Sequence, residues 1–160
     1  MFSVRPITDW ASLKTWITLV THAIGHASWE HLLSNITFIL LLGPILEEKY
    51  GSGKILMMML VTAVSTGILN SMFFDSGLMG ASGIVFMLIL LASVANLKKG
   101  YIPLTFVAVT IIFLGQEIMN SFDEDNVSQF GHIVGGLFGA AFGFMIGGKN
   151  KRIEPVLPNF

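Results

Sequence analysis

Five apolar runs, each long enough to cross the hydrocarbon core of a bilayer as a helix, dominate this 160-residue chain. They fall at Leu32–Tyr50, Ile55–Phe74, Gly77–Leu97, Tyr101–Met119 and Phe130–Gly148, and a spanning helix needs roughly 17 to 25 residues. Helix is the expected form of each, because a single strand leaves its backbone groups unsatisfied in lipid and the runs lack the alternation of a membrane barrel. Only 12% of the residues are charged, about half of the roughly 25% that a water-facing surface carries. The expected fold class is an all-α polytopic membrane protein with five transmembrane helices present. The connections are short and polar, Gly51–Lys54, Asp75–Ser76, Lys98–Gly100 and Asp123–Asn126, so a single bundle over residues 32–148 is expected.

Composition removes whole classes of function. Nine basic against ten acidic residues give a net charge of −1, which leaves no electrostatic basis for nucleic-acid binding. With zero cysteines the chain has no disulfide framework, thiolate nucleophile or cysteine-ligated metal. The placement of the basic residues carries more than their number. Lys49, Lys54, Lys98, Lys99, Lys149, Lys151 and Arg152 lie on one side of a five-span arrangement, leaving Arg5 and Lys14 on the other. Short cytoplasmic loops hold an excess of such residues, so 149–160 is expected to be a cytoplasmic tail and 1–31 an extracytoplasmic interfacial segment, in a protein of the cell membrane. Trp10, Trp16 and Trp29 cluster in that outer segment, and Lys14 with two histidines argues that residues 10–29 lie in the interface instead of crossing it.

Strongly polar residues inside spans are costly in lipid and mark functional sites by default. Here they are His31 and Asn35 in the first span, Ser82 in the third, Gln116 and Glu117 in the fourth and His132 in the fifth, all near the outer ends. If the third helix begins at Gly77, Ser82 lies roughly 7 to 8 Å along it. Taken singly, a membrane serine is more often a packing residue than a nucleophile, and His132 reads as well as an interfacial hydrogen-bonding histidine. Their settings differ from that baseline. Ser82 stands in Gly80-Ala81-Ser82-Gly83, where the backbone can approach a substrate and a helix N-terminus favours developing negative charge. His132 heads a ladder of Gly135, Gly139 and Gly143, with Gly131 before it and Gly136 and Ala140 beside it, a face on which another helix packs backbone to backbone. The expected neighbour is the Gly80–Gly83 turn, which brings an imidazole to the serine hydroxyl. His31 and Asn35, at i and i+4, share a helix face, and each can donate a hydrogen bond. A metal on His22, His26 and His31 is the competing idea. It has only Glu30 as a nearby carboxylate, so no metal is expected.

Several of these motifs, in order, resemble the rhomboid family of intramembrane serine proteases. The segment from His22 to Asn35 resembles its histidine-rich stretch, Gly43 to Glu47 with Gly51–Lys54 its GxxxE and following loop, Gly80–Gly83 its GxSG, and His132 with the glycine ladder its histidine-bearing helix. The resemblance implies a Ser82/His132 dyad with no cofactor. It also implies an oxyanion hole from His31, Asn35 and the Ser82 N–H, and transmembrane proteins as substrates, cut near the outer face of the lipid bilayer. Gly80, Gly83, Phe86, Gly135, Gly136 and Gly139 would be structural residues near the site. Phe86 replaces a tyrosine that many members carry one turn after the serine. The alternative function is an inactive rhomboid-like protein that binds transmembrane clients. The family core has six helices, so a further apolar helix is expected before Met1.

Overall fold

The computed structural model describes residues 2–6, 9–75, 77–95 and 126–147, together with positions 104, 107, 108, 111 and 112. Among them are five helices: α1 (Leu13–Thr21), α2 (Trp29–Tyr50), α3 (Ser52–Phe73), α4 (Ser82–Val94) and α5 (Asn126–Gly147). The described positions of the expected fourth span are helical, with Leu104, Ile111 and Ile112 exposed. An all-helical bundle with α2, α3 and α5 long and apolar enough to span a membrane agrees with the fold class read from sequence.

Local chemistry sets the boundaries. The nine residues of α1 extend roughly 13 Å, too short to span. Its Leu13, Trp16 and Ile17 are exposed, whereas Leu19 is fully buried. The second helix starts three residues before its apolar run because the Ser28 side chain accepts from the His31 N–H, capping it at 3.2 Å. Gly51, at φ +85°, ends α2 and opens α3 in one tight turn. Ser52 donates from its hydroxyl to the Glu47 carboxylate, tying the two helices together there.

The third run departs from expectation. Gly77–Ala81 is not helical, and α4 opens at Ser82 itself. Gly80 adopts φ +126° and gives its N–H to the His22 carbonyl at 2.9 Å, while Leu78 pairs with Val4 in an isolated antiparallel bridge. Each of these removes a backbone group from the helical register. The depth of Ser82 therefore comes from an extended segment and not from five residues of helix.

Apolar all round, α4 sits at the centre: Ile84, Val85, Met87, Leu88, Leu90, Leu91 and Val94 are all buried. The glycine ladder of α5 packs on it. A Cβ at Gly135 would strike the Gly83 backbone, one at Gly139 the Met87 backbone and one at Gly143 the Val94 side chain. Only glycine permits this approach, and dispersion over the close backbone contact supplies what the hydrophobic effect cannot supply between helices in lipid. Leu46, Tyr50, Ile55, Met58, Met87, Leu88 and Leu91 form the core below.

Candidate active site

Around the first turn of α4 the bundle brings together most of the polar residues singled out above. Ser82 is the first residue of that helix, where the unpaired N–H groups favour negative charge. On one side, the His31 ring lies against Gly80, so close that a Cβ there would be 2.7 Å from its Cε1. On the other, the Gly131 carbonyl of α5 would lie 3.2 Å from a Cβ on Gly83, which places the His132-bearing turn directly on the Ser82-bearing one. The Phe86 and His132 rings face each other with centroids 4.2 Å apart and planes inclined at 33°. Phe86 thus stacks on the imidazole without offering a hydroxyl. Gly135 and Gly136 are buried beneath this turn.

Asn35 is drawn into a chain of hydrogen bonds. His26 Nδ1 lies 3.0 Å from the Ile24 carbonyl, which can only accept, so the proton is on Nδ1 and Nε2 is an acceptor. Asn35 Nδ2 donates to that Nε2 at 2.9 Å. The amide has a second N–H, and its side chain is fixed, with Asn35 only 5% exposed. The His26 and His31 rings meet edge to face at 5.0 Å, so His26 contacts both of these α2 side chains. In the sequence His26 stands as a metal candidate and as part of the histidine-rich stretch, with no supporting role assigned to it. The physical signal that recovers it is the hydrogen-bonding requirement of a buried amide nine residues away.

His22, a metal candidate in the sequence and the first residue of the histidine-rich stretch, lies just past α1, which ends at Thr21. His22 reaches across to α3, its Nε2 donating to the Ala63 carbonyl at 3.0 Å. Its Nδ1 is buried without a partner among the described residues, and burial pushes the imidazole pKa below its usual value. Beside it is a cavity of about 10 Å³ lined by residues that include His22, Thr66, Gly80, Ser82 and Gly131. That is the space of about one water molecule, with polar groups to hold it. Thr66 belongs to a buried polar stripe on α3, Thr62, Thr66 and Asn70, spaced by four residues. None of these three was among the polar residues singled out from the sequence. Their strict i, i+4, i+8 register, in a helix otherwise rich in Leu, Met and Val, is the signal that reveals them.

Gln116, Glu117, Lys98, Lys99, the acidic Asp123–Asp125 loop and the 149–160 tail lie outside the described residues.

A sequence model of the Rhomboid domain matches residues 13–149. The chain is similar to Rhomboid-like protein 11, chloroplastic, of Arabidopsis thaliana, at 25% identity over 147 residues, covering 89% of this chain and 49% of the relative. It is similar to Rhomboid protease GluP of Bacillus subtilis at 30% identity over 131 residues, 79% of this chain and 26% of that one. Rhomboid protease GlpG of Haemophilus influenzae is 25% identical over 138 residues, 79% of this chain and 67% of the relative. The chain thus spans about half of the plant relative and about a quarter of GluP. A match running from the first residue of α1 through the last glycine of α5 covers every element that builds the site, and on that extent the chain belongs to the rhomboid family.

Proposed function

We propose that this protein is an intramembrane serine endopeptidase that cuts transmembrane proteins near the outer membrane face, with Ser82 as nucleophile and His132 as general base. The observation that carries this reading is the packing of α4 and α5. A Cβ on Gly135 would strike the Gly83 backbone and one on Gly83 would lie 3.2 Å from the Gly131 carbonyl, a close helix contact that supports a pairing of Ser82 with His132. Two proteins similar to this one over four-fifths of its length are named proteases, which supports it.

In the proposed reaction the Ser82 oxygen adds to the scissile carbonyl as its proton passes to His132. The negative oxygen is met by the Ser82 N–H at the start of α4, by His31 and by the second N–H of Asn35. His132 then gives its proton to the leaving amine. Hydrolysis of the acyl-enzyme needs a water in a site otherwise walled by lipid, and the cavity against Ser82 is a place to hold one. The chemistry requires no cofactor. Substrates are expected to enter from the bilayer, with residues 1–31 in the outer interface and the C-terminus cytoplasmic, as the distribution of Lys and Arg supports.

The test is reaction with a fluorophosphonate probe in membranes, together with cleavage of a reporter protein bearing one transmembrane helix. Ser82 is expected to carry the probe and Ser82→Ala to lose both activities. A folded wild-type protein that neither labels nor cleaves would leave the client-binding role in its place.

A further inference from the structure

The extended residues at the start of the chain make contacts that the dyad chemistry does not use. Val4 donates to the Leu78 carbonyl at 3.0 Å and accepts from the Leu78 N–H at 2.8 Å, a pair that exchanges both of its hydrogen bonds. Two short paired segments are not stable in isolation, and this pair is held by burial, with Val4 2% and Leu78 8% exposed. Phe2, itself exposed, touches the same place with its Cβ and backbone: a Cβ on Gly25 would meet Phe2 Cβ at 2.5 Å, the Phe2 carbonyl at 2.8 Å and Met79 Cγ at 2.9 Å. Three segments therefore meet at Gly25, namely the extended residues 2–6, the loop after α1 and the residues leading to Ser82. That loop also supplies the His22 carbonyl that holds the Gly80 N–H.

Between Leu78 and Ser82 there are only three residues, one of them Gly80 in a conformation that other residues rarely adopt. Such a stretch is free to reorient unless both of its ends are held. Ser82 is anchored by α4, and the upstream end is anchored by Val4. We propose that the extended segment Phe2–Arg5 positions the nucleophile: through the Val4–Leu78 pair it fixes Leu78–Ala81, and so the Ser82 oxygen and N–H, against His31 and the α5 turn. This rests on the protease reading above. It makes Val4 and Phe2 positioning residues, remote from the reacting atoms, whose loss loosens the site without opening the helical core.

Val4→Pro removes the N–H that donates to Leu78, Val4→Ala keeps the pair but removes most of the buried side chain, and Val4→Ile keeps both. Each is measured in membranes for the rate of fluorophosphonate labelling at Ser82, for kcat and KM on a transmembrane substrate, and for thermal unfolding. Exchange of the Leu78 amide reports on the pair itself. Since a displacement of about 1 Å can cost on the order of 100-fold in rate, Val4→Pro is expected to slow labelling about 10- to 100-fold and to lower kcat more than KM, at a temperature where it remains folded. Val4→Ala is expected to fall between, and Val4→Ile to match the wild type. A Leu78 amide that exchanges freely in Val4→Pro while labelling stays at the wild-type rate would overturn the positioning role and leave the protease reading intact. Unfolding of both Val4→Pro and Val4→Ala would also overturn it, because the segment would then support the fold and not the site. Absence of labelling in the wild type would instead overturn the reading on which the proposal rests.

Discussion

Within the site, residues divide by whether they would react, donate or hold another side chain in place, and the three kinds should fail differently. If Ser82 and His132 act as a unit, Ser82→Ala and His132→Ala should each abolish cleavage with little change in thermal unfolding, and the double variant should be no worse than either single one. Asn35→Ala removes one donor of several and should cost about 10² to 10³ in kcat. His26→Ala leaves that donor present but unoriented, so a smaller loss of kcat than for Asn35→Ala is expected; a larger one would make His26 more than a support. His22 gives a different signature, visible in stability. Burial holds its folded-state pKa low, so as pH falls below about 6.5 the unfolded chain takes up a proton that the folded protein refuses. Its contribution is complete above that value and declines with acid, by up to about 1.4 kcal/mol per pH unit until the folded form is protonated too. Thermal unfolding between pH 7.5 and 5.5 should show a shallower decline for His22→Gln, which keeps a donor for Ala63 but does not titrate. An unchanged slope would remove His22 as the cause. From the sequence, Ser82, His31, Asn35 and His132 stand out by residue type and setting, whereas Thr62 and Thr66 do not. The sequence did not reveal the hydrogen bonds of His22 and His26, because their partners, the Ala63 and Ile24 carbonyls, are backbone atoms that no residue type advertises.

At the level of elements, periodicity was sufficient wherever side chains decide the structure and insufficient where the backbone does. The spans at α2, α3 and α5 follow from apolar length, and the α5 face follows from four-residue glycine spacing. The start of α4 does not, because the non-helical path of Gly77–Ala81 is imposed by two distant backbone partners, Val4 and the His22 carbonyl. The glycine ladder offers a direct test of how the site is positioned. A Cβ at Gly135 meets the Gly83 backbone, which cannot rotate away, whereas one at Gly131 meets only Leu78 Cδ1 at 3.4 Å. Gly135→Ala should therefore push α5 from α4, costing about 1 to 3 kcal/mol as overpacked core substitutions do. It should also reduce activity beyond what the loss of folded protein explains, since it separates the two turns. Gly131→Ala should be close to neutral in stability. Unfolding midpoints and probe labelling for the pair decide it: equal behaviour of the two variants would mean that the ladder does not set the spacing.

Across the whole molecule, polarity is arranged by depth, and this arrangement gives the topology a test. Helix α3 has 22 residues and so a length of roughly 33 Å, enough to cross a core of about 30 Å. Its buried face is apolar at Ile55 and Met58 near one end and polar at Thr62, Thr66 and Asn70 from its middle to the other. The polar half adjoins Ser82 and the cavity, whereas the apolar half joins the Leu46, Tyr50 and Met87 core. The expected consequence is that water enters the site from the polar end of α3, with the apolar half, among the described residues, packed against that core. Which membrane face the polar end meets rests on charge: Lys49 and Lys54 flank the apolar end of α3 and Asp75 lies just past the polar end, so the apolar end should be cytoplasmic. Because the chain has zero cysteines, Lys54→Cys and Asp75→Cys each introduce a single thiol against an empty background. In intact cells a membrane-impermeant maleimide should label Asp75→Cys and leave Lys54→Cys unlabelled until the cells are opened. The reverse pattern would turn the molecule over, placing the polar cavity and any cleavage on the cytoplasmic side; labelling of both in intact cells would mean that α3 does not cross the membrane at all, and the division into wet and dry halves would fail with it.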